Sequence, residues 1–178
     1  MPSDKTITIQ SIGLIRTPYQ AGDFCPKQPV ERDEGESRLI VDPDYQAGLA
    51  KLSGFKYIYV LAYLDQAADS TNLSVRPAIA KDTQVGLFAS RSPNRPARIG
   101  LSVVKLKKIV NNEVVTSLLD FYDGTPLLDI KPYINELDAK ADANYGWIEQ
   151  LEDHHHLLDH LRGISHKHDH DHTHDHHR

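Results

Sequence analysis

No histidine occurs before position 154; all eleven lie between His154 and His177. Chemistry in the body of the chain must therefore run without an imidazole base and without histidine metal ligands. The single cysteine, Cys25, excludes an intramolecular disulfide. With no second thiol or histidine beside it in sequence, its expected role is packing rather than attack. No Gly-x-Gly-x-x-Gly loop and no P-loop occurs, so a nucleotide-type cofactor has to be held in another way. The longest apolar run, Tyr57 to Leu64, is far shorter than the roughly 18 to 20 residues of a membrane span. The opening MPSDKTITIQ lacks the basic region and apolar stretch of a signal peptide. These absences predict a soluble, cytoplasmic protein with no membrane partner.

At 178 residues the chain suits one domain with an appendage. The formal charge of −5 hides an asymmetry, because the segment from Arg76 to Lys108 holds eight Lys or Arg against one acid, a formal charge of +7. Folded onto one face, such a segment suits phosphates or a substrate carboxylate, or is neutralised by the acids from Asp120 onward. Branched and aromatic residues predict strands at Thr6 to Arg16, Arg38 to Val41, Lys56 to Leu64, Gln84 to Ala89, Ile99 to Val110, Glu113 to Phe121 and Leu127 to Ile130. Asn111 and Asn112 suit a hairpin turn. One short helix is expected near Pro43 to Leu52, with Asp42 as its cap. A second is expected from Trp147 to Arg162, whose apolar residues share one helical face before Gly163. The remainder, ISHKHDHDHTHDHHR, is too poor in apolar groups to offset the entropy of ordering, so it is expected to be disordered.

Two clusters stand out. Arg91, Asn94, Arg95 and Arg98 surround Pro93 and Pro96, while Asp120, Asp123, Asp129 and Lys131 surround Gly124 and Pro126. Stability alone does not require so many rigid and charged residues at the ends of strand-like runs. The segments IGLIRTPY (12–19), PKQP (26–29), GFKYIYVLAYLDQ (54–66), LFASRSPNRP (87–96), IGLSVVKL (99–106) and DGTPLLDIKPY (123–133), with Gly146 and Trp147, together resemble the TsaA-like (TrmO) family. That family consists of S-adenosylmethionine-dependent methyltransferases acting on N6-threonylcarbamoyladenosine beside the anticodon of certain tRNAs.

The resemblance implies a mainly β protein: a single-sheeted β-barrel with few short helices, working as a homodimer with the methyl donor near the subunit contact. Together with the residue pattern beyond it, this divides the chain into a methyltransferase barrel (1–150), a C-terminal helix (151–163) and the His-rich tail (164–178). Carried over position by position, the donor site draws on Pro26, Lys27 and Gln28, on Asp65 and Gln66, on Arg91 and Leu101, and on Phe121, Tyr122, Asp123 and Gly124. A sulfonium donor needs carboxylates or aromatic faces near its sulfur, and a cation or amides for its carboxylate. Asp129 or Asp123 is expected to accept the proton of the nucleophilic nitrogen or to orient it, with Tyr133 behind. Alternatively, Asp129, Lys131 and Tyr133 only lock a strand end. Asn94, Arg95, Arg98 and Lys131 are the expected substrate contacts, with tRNA as the expected partner.

The chain departs from the family in two places. Where the family commonly reads RPNPIG, this chain has Arg95, Pro96, Ala97, Arg98, Ile99 and Gly100, and Asp65 stands where histidine is frequent. The change at Ala97 and Arg98 leaves a small-molecule acceptor as an alternative to tRNA. The tail supplies a further alternative, since His166, His168, His170, His172, His174, His176 and His177 are spaced to bind zinc, nickel or copper. On that reading the chain stores or delivers metal on a degenerate methyltransferase barrel.

Overall fold

The computed structural model describes residues 6–29, 35–68 and 70–151. Its core is antiparallel: β1 (Gly13–Arg16), β2 (Ser37–Val41), β3 (Tyr57–Tyr63), β6 (Ile99–Val110), β7 (Glu113–Thr116) and β8 (Pro126–Pro132). They pair in the order β1-β2-β7-β6-β3-β8, and β8 returns to β1, closing a barrel. A separate two-stranded ribbon joins β4 (Ser74–Val75) to β5 (Val85–Gly86). The expectation of a mainly β chain with few helices holds. The only α-helix among the described residues is α1 (Asn135–Asp138), and short 3₁₀ turns fill Pro43–Leu49, Leu52–Gly54, Leu87–Ala89 and Gly146–Gln150.

Period-two alternation accounts for the core. Ile58, Val60 and Ala62 of β3 point inward with Val104 and Leu106 of β6, meeting Ile15, Leu39, Val41, Val114 and Leu127. At about 25 cal/mol per Å2 of apolar area, each Val, Leu or Ile among them contributes 1.5 to 3 kcal/mol on burial. The β6–β7 hairpin turns at Asn111, whose φ of +55° is the left-handed geometry asparagine tolerates.

Several expected elements are shorter than the sequence suggests. Of Thr6 to Arg16 only Gly13–Arg16 is strand, and the pairing continues one residue before it, where the Ile12 amide donates to the Leu127 carbonyl and the Ile12 carbonyl accepts from the Asp42 amide. The strand expected from Gln84 to Ala89 pairs for two residues with β4 and then tightens into the Leu87–Ala89 turn. The helix expected near Pro43 forms as two 3₁₀ pieces, and Asp42 caps through its backbone carbonyl rather than its side chain. The helix expected from Trp147 is corrected: a 3₁₀ turn covers Gly146–Gln150, and Leu151 is already extended (φ −81°, ψ 135°). The expected helix at 151–163, apart from Leu151, and the His-rich tail lie outside the described residues.

Candidate functional site

One end of the barrel is where β3 and β1 finish and β6 and β8 begin: Ala62 pairs with both Gly100 and Leu127, and Gly13 with Leu127. Four connections leave from this end. Residues 17–29 follow β1, residues 64–73 follow β3, residues 87–98 lead into β6, and residues 117–125 lead into β8. They carry Pro26, Lys27, Gln28, Asp65, Gln66, Arg91, Phe121, Tyr122, Asp123 and Gly124, so topology gathers at one rim residues that are up to 98 positions apart.

Direct contacts tie these loops together. The Arg91 guanidinium donates to the Gln28 side-chain oxygen. The Asp123 carboxylate accepts from Arg16 Nη1 at 2.9 Å and from the Thr17 amide at 3.1 Å. The Asp123 amide in turn donates to the Tyr19 carbonyl at 2.7 Å, and Thr17 Oγ1 donates to the Phe121 carbonyl at 2.8 Å. Asp123 thus clamps the segment after β1 to the loop before β8, and Gly124 follows at φ +83°, where a side chain would be strained. Phe121 is buried and plugs the rim against Gly100, the inward residue of β6 closest to this end.

Asp120 sits beneath this layer. Its carboxylate accepts from the hydroxyl of Ser102, a buried serine on the inward face of β6. Burial raises the Asp120 carboxyl above its ordinary range, opposed by the Ser102 hydrogen bond and the positive charge of Arg91. Cys25 lies within reach of the same charge. Burial and then Asp120 push its thiol up to about 12, so it stays protonated, in keeping with a packing role. In sequence Asp120 belongs to an acidic cluster, whereas nothing there marks Ser102, 18 residues away.

Leu101 faces outward from β6 and is 59% exposed. Its cross-strand neighbour on β3 is Leu61, and Leu61 faces Asp129 on β8. Leu101, Leu61 and Asp129 therefore form a row on the outer wall, each step about 5 Å. A β-bulge between Leu61 and Ala62 interrupts the β3–β8 register beside Asp129. Asp129 Oδ2 pairs with Lys131 at 2.7 Å, and its Oδ1 accepts from the Ile130 amide at 2.8 Å.

Tyr133 is not brought to the rim. Its amide donates to the carbonyl of Tyr57, at the far end of β3, and its ring packs against Tyr57 and Tyr59 at 6.4 and 5.5 Å. Six residues of strand separate Tyr57 from Tyr63, about 20 Å along the wall. Arg95 and Arg98 are also occupied. Arg95 donates to the Ser90 carbonyl at 2.9 Å and lies 5.7 Å from the Phe88 ring centre. Arg98 reaches the Tyr63 hydroxyl and lies 5.1 Å over that ring. The φ of Arg98 is +48°, which the ring of proline forbids, so the family's usual proline would need a different backbone here. Trp147 donates from its indole to the Ala89 carbonyl at 2.8 Å, bracing the loop that carries Arg91.

The model of the tRNA-methyltransferase O N-terminal domain matches residues 14–139. The chain belongs to this family. It is 34% identical over 148 residues to the tRNA (adenine(37)-N6)-methyltransferase of Escherichia coli, covering 79% of this chain and 63% of that protein. It is 32% identical over 131 residues to an S-adenosyl-L-methionine-binding protein of Archaeoglobus fulgidus, covering 74% of this chain and 92% of that one. A crystal structure of TrmO from Pseudomonas aeruginosa superposes with a TM-score of 0.66 at 31% identity, covering 80% of this chain and 63% of that one. The chain thus spans less than two thirds of some relatives and nearly all of others. Among the described residues no group of three or more His, Cys, Asp or Glu is placed to hold a metal, and no helix is long and apolar enough to cross a membrane. The seven tail histidines expected to bind metal lie outside the described residues.

Proposed function

We propose that this chain transfers a methyl group from S-adenosylmethionine to N6 of threonylcarbamoylated adenosine 37 in tRNA, in the single domain of residues 1–150. The Escherichia coli relative is named for methylation at N6 of adenine 37. The observation that carries the reading is the convergence of four loops on one barrel rim, linked by Arg91 to Gln28 and by Asp123 to Arg16 and Thr17.

The residues present fit the donor. Arg91 and Gln28 supply a cation and an amide for its carboxylate, and Asp123 holds negative charge on the same rim for the sulfonium. Pro26, Lys27, Asp65, Gln66, Leu101, Phe121, Tyr122 and Gly124 complete the proposed pocket. When bound, the donor supplies an electrophilic methyl on sulfur. The N6–C bond forms as the C–S bond breaks, S-adenosylhomocysteine leaves, and the N6 proton passes to a base. Alignment contributes most of the rate. The acyl neighbour already acidifies N6, so a carboxylate suffices. Asp129 is the proposed base, because it shares the outer row with Leu101. Lys131 would position Asp129 or contact the substrate carboxylate, and Tyr133 supports the strand end. The apolar outward residues Ile99, Leu101 and Val103 support assembly as a homodimer across this wall.

The test is calorimetry with S-adenosylmethionine and S-adenosylhomocysteine, followed by methyl transfer to threonine tRNA with and without the threonylcarbamoyl group. Binding of both ligands and transfer only to the modified tRNA are expected. Donor binding with transfer to neither tRNA would overturn the acceptor assignment.

A further inference from the structure

A recess of about 440 Å3 opens beside the β4–β5 ribbon. Arg76 and Asn94 line it, and neither side chain has a hydrogen-bond or ionic partner among the described residues. Its wall is stiffened by a relay in which Gln84 donates to Ser74 at 3.0 Å and Ser74 to Asn72 at 3.1 Å. Ser92 and Val75 complete the lining, and no carboxylate belongs to it. A guanidinium, an amide and a hydroxyl around an open space with no acid make a site for an anion that accepts hydrogen bonds, and a phosphodiester oxygen is such an acceptor.

The position of the recess selects the ligand. The loop that brings Arg91 to Gln28 also brings Ser92 and Asn94 to the recess, so one to three residues of chain, at most about 11 Å, separate the two. That is a separation neighbouring nucleotides of one strand can bridge. Just after β5, Phe88 is 75% exposed, with the Arg95 guanidinium near its ring. An exposed ring backed by a cation is a platform on which a base stacks irrespective of sequence. Arg95 and Arg98, the obvious cations of this segment in sequence, are engaged with carbonyls and with Tyr63. We propose that Arg76 and Asn94 bind a backbone phosphate of the RNA acceptor, with an adjacent unpaired base stacked on Phe88. This rests on the tRNA reading above.

The experiment titrates a fluorescein-labelled anticodon stem-loop of threonine tRNA by anisotropy at several salt concentrations. Arg76→Gln should weaken binding about tenfold at low salt and reduce the slope of log K against log salt by about 1. Asn94→Ala and Phe88→Ala should weaken binding with the slope unchanged, Phe88→Ala by about fivefold or more. Lys51→Gln, between β2 and β3, should change neither quantity. Calorimetry with S-adenosylmethionine should be unaltered in every variant, which also shows each is folded. Wild-type binding with an unchanged slope in Arg76→Gln overturns the recess assignment and leaves the methyltransferase reading standing. If the wild type binds no RNA at any salt, the acceptor reading falls and this proposal with it. If Arg76→Gln loses affinity for adenosine monophosphate while RNA binding is untouched, the recess serves a small phosphorylated compound and the RNA assignment is overturned.

Discussion

Replacing Gly100 by alanine tests how the barrel interior supports the rim. A methyl built there lies 2.7 Å from Phe121 Cε1 and 2.9 Å from Leu64 Cδ2. The leucine tip is half-buried and can rotate, but the phenyl ring is enclosed and must translate. Overpacking of this kind costs about 1 to 3 kcal/mol. For a domain of this size that corresponds to a fall in Tm of about 2 to 12 °C. Phe121 leads directly into Tyr122 and Asp123, so displacement of the ring should also weaken S-adenosylmethionine binding. Thermal and urea unfolding followed by circular dichroism give the stability change, and calorimetry gives the affinity. The companion variant is Phe121→Leu, which removes the atoms the methyl strikes. The double variant should be more stable than the sum of the two single losses requires, by a coupling of about 0.5 kcal/mol or more. A Gly100→Ala protein that melts with the wild type, or strict additivity of the two changes, would show that the ring does not seal this end.

Two further outcomes follow from the buried charge below the rim. Because the folded-state pKa of Asp120 lies above its ordinary 3.8, the folded protein binds this proton more tightly than the unfolded one, and stability from this group falls as pH rises through the folded pKa. Asp120→Asn should therefore raise Tm near neutral pH and lose that advantage near pH 3, as read by thermal scans; equal shifts at both pH values would refute it. Cys25, with its thiol pushed up to about 12, should react with iodoacetamide at pH 8 far more slowly than a free thiol, and faster in Asp120→Asn; rapid labelling of the folded wild type would contradict its burial beside that charge.

How much of this was legible in the sequence depends on the range of the interaction. β6 runs over Ile99–Val110 as its alternation predicts, and Asn111 turns as an asparagine at that place should. Both depend on neighbours within a few residues. Strand ends failed where pairing decides them: apolar Ile7 and Ile9 look like strand, yet no partner extends that far and both are exposed. The arginines show the same limit. Arg95 and Arg98 are conspicuous in sequence, but backbone carbonyls and the ring of Tyr63 claim them, while Arg76, just after β4, lines a recess without acids. The Ser102–Asp120 contact spans 18 residues and needs the barrel to close before the two face each other.

Trp147, whose indole holds the Ala89 carbonyl two residues before Arg91, is the chain's sole tryptophan. Its emission is therefore a native optical gauge of one loop, with no label and no competing indole. If the loop carrying Arg91 tightens around a ligand, the indole environment changes with it. Stopped-flow fluorescence can then time that motion in the unmodified protein, separating the arrival of the methyl donor from the arrival of RNA.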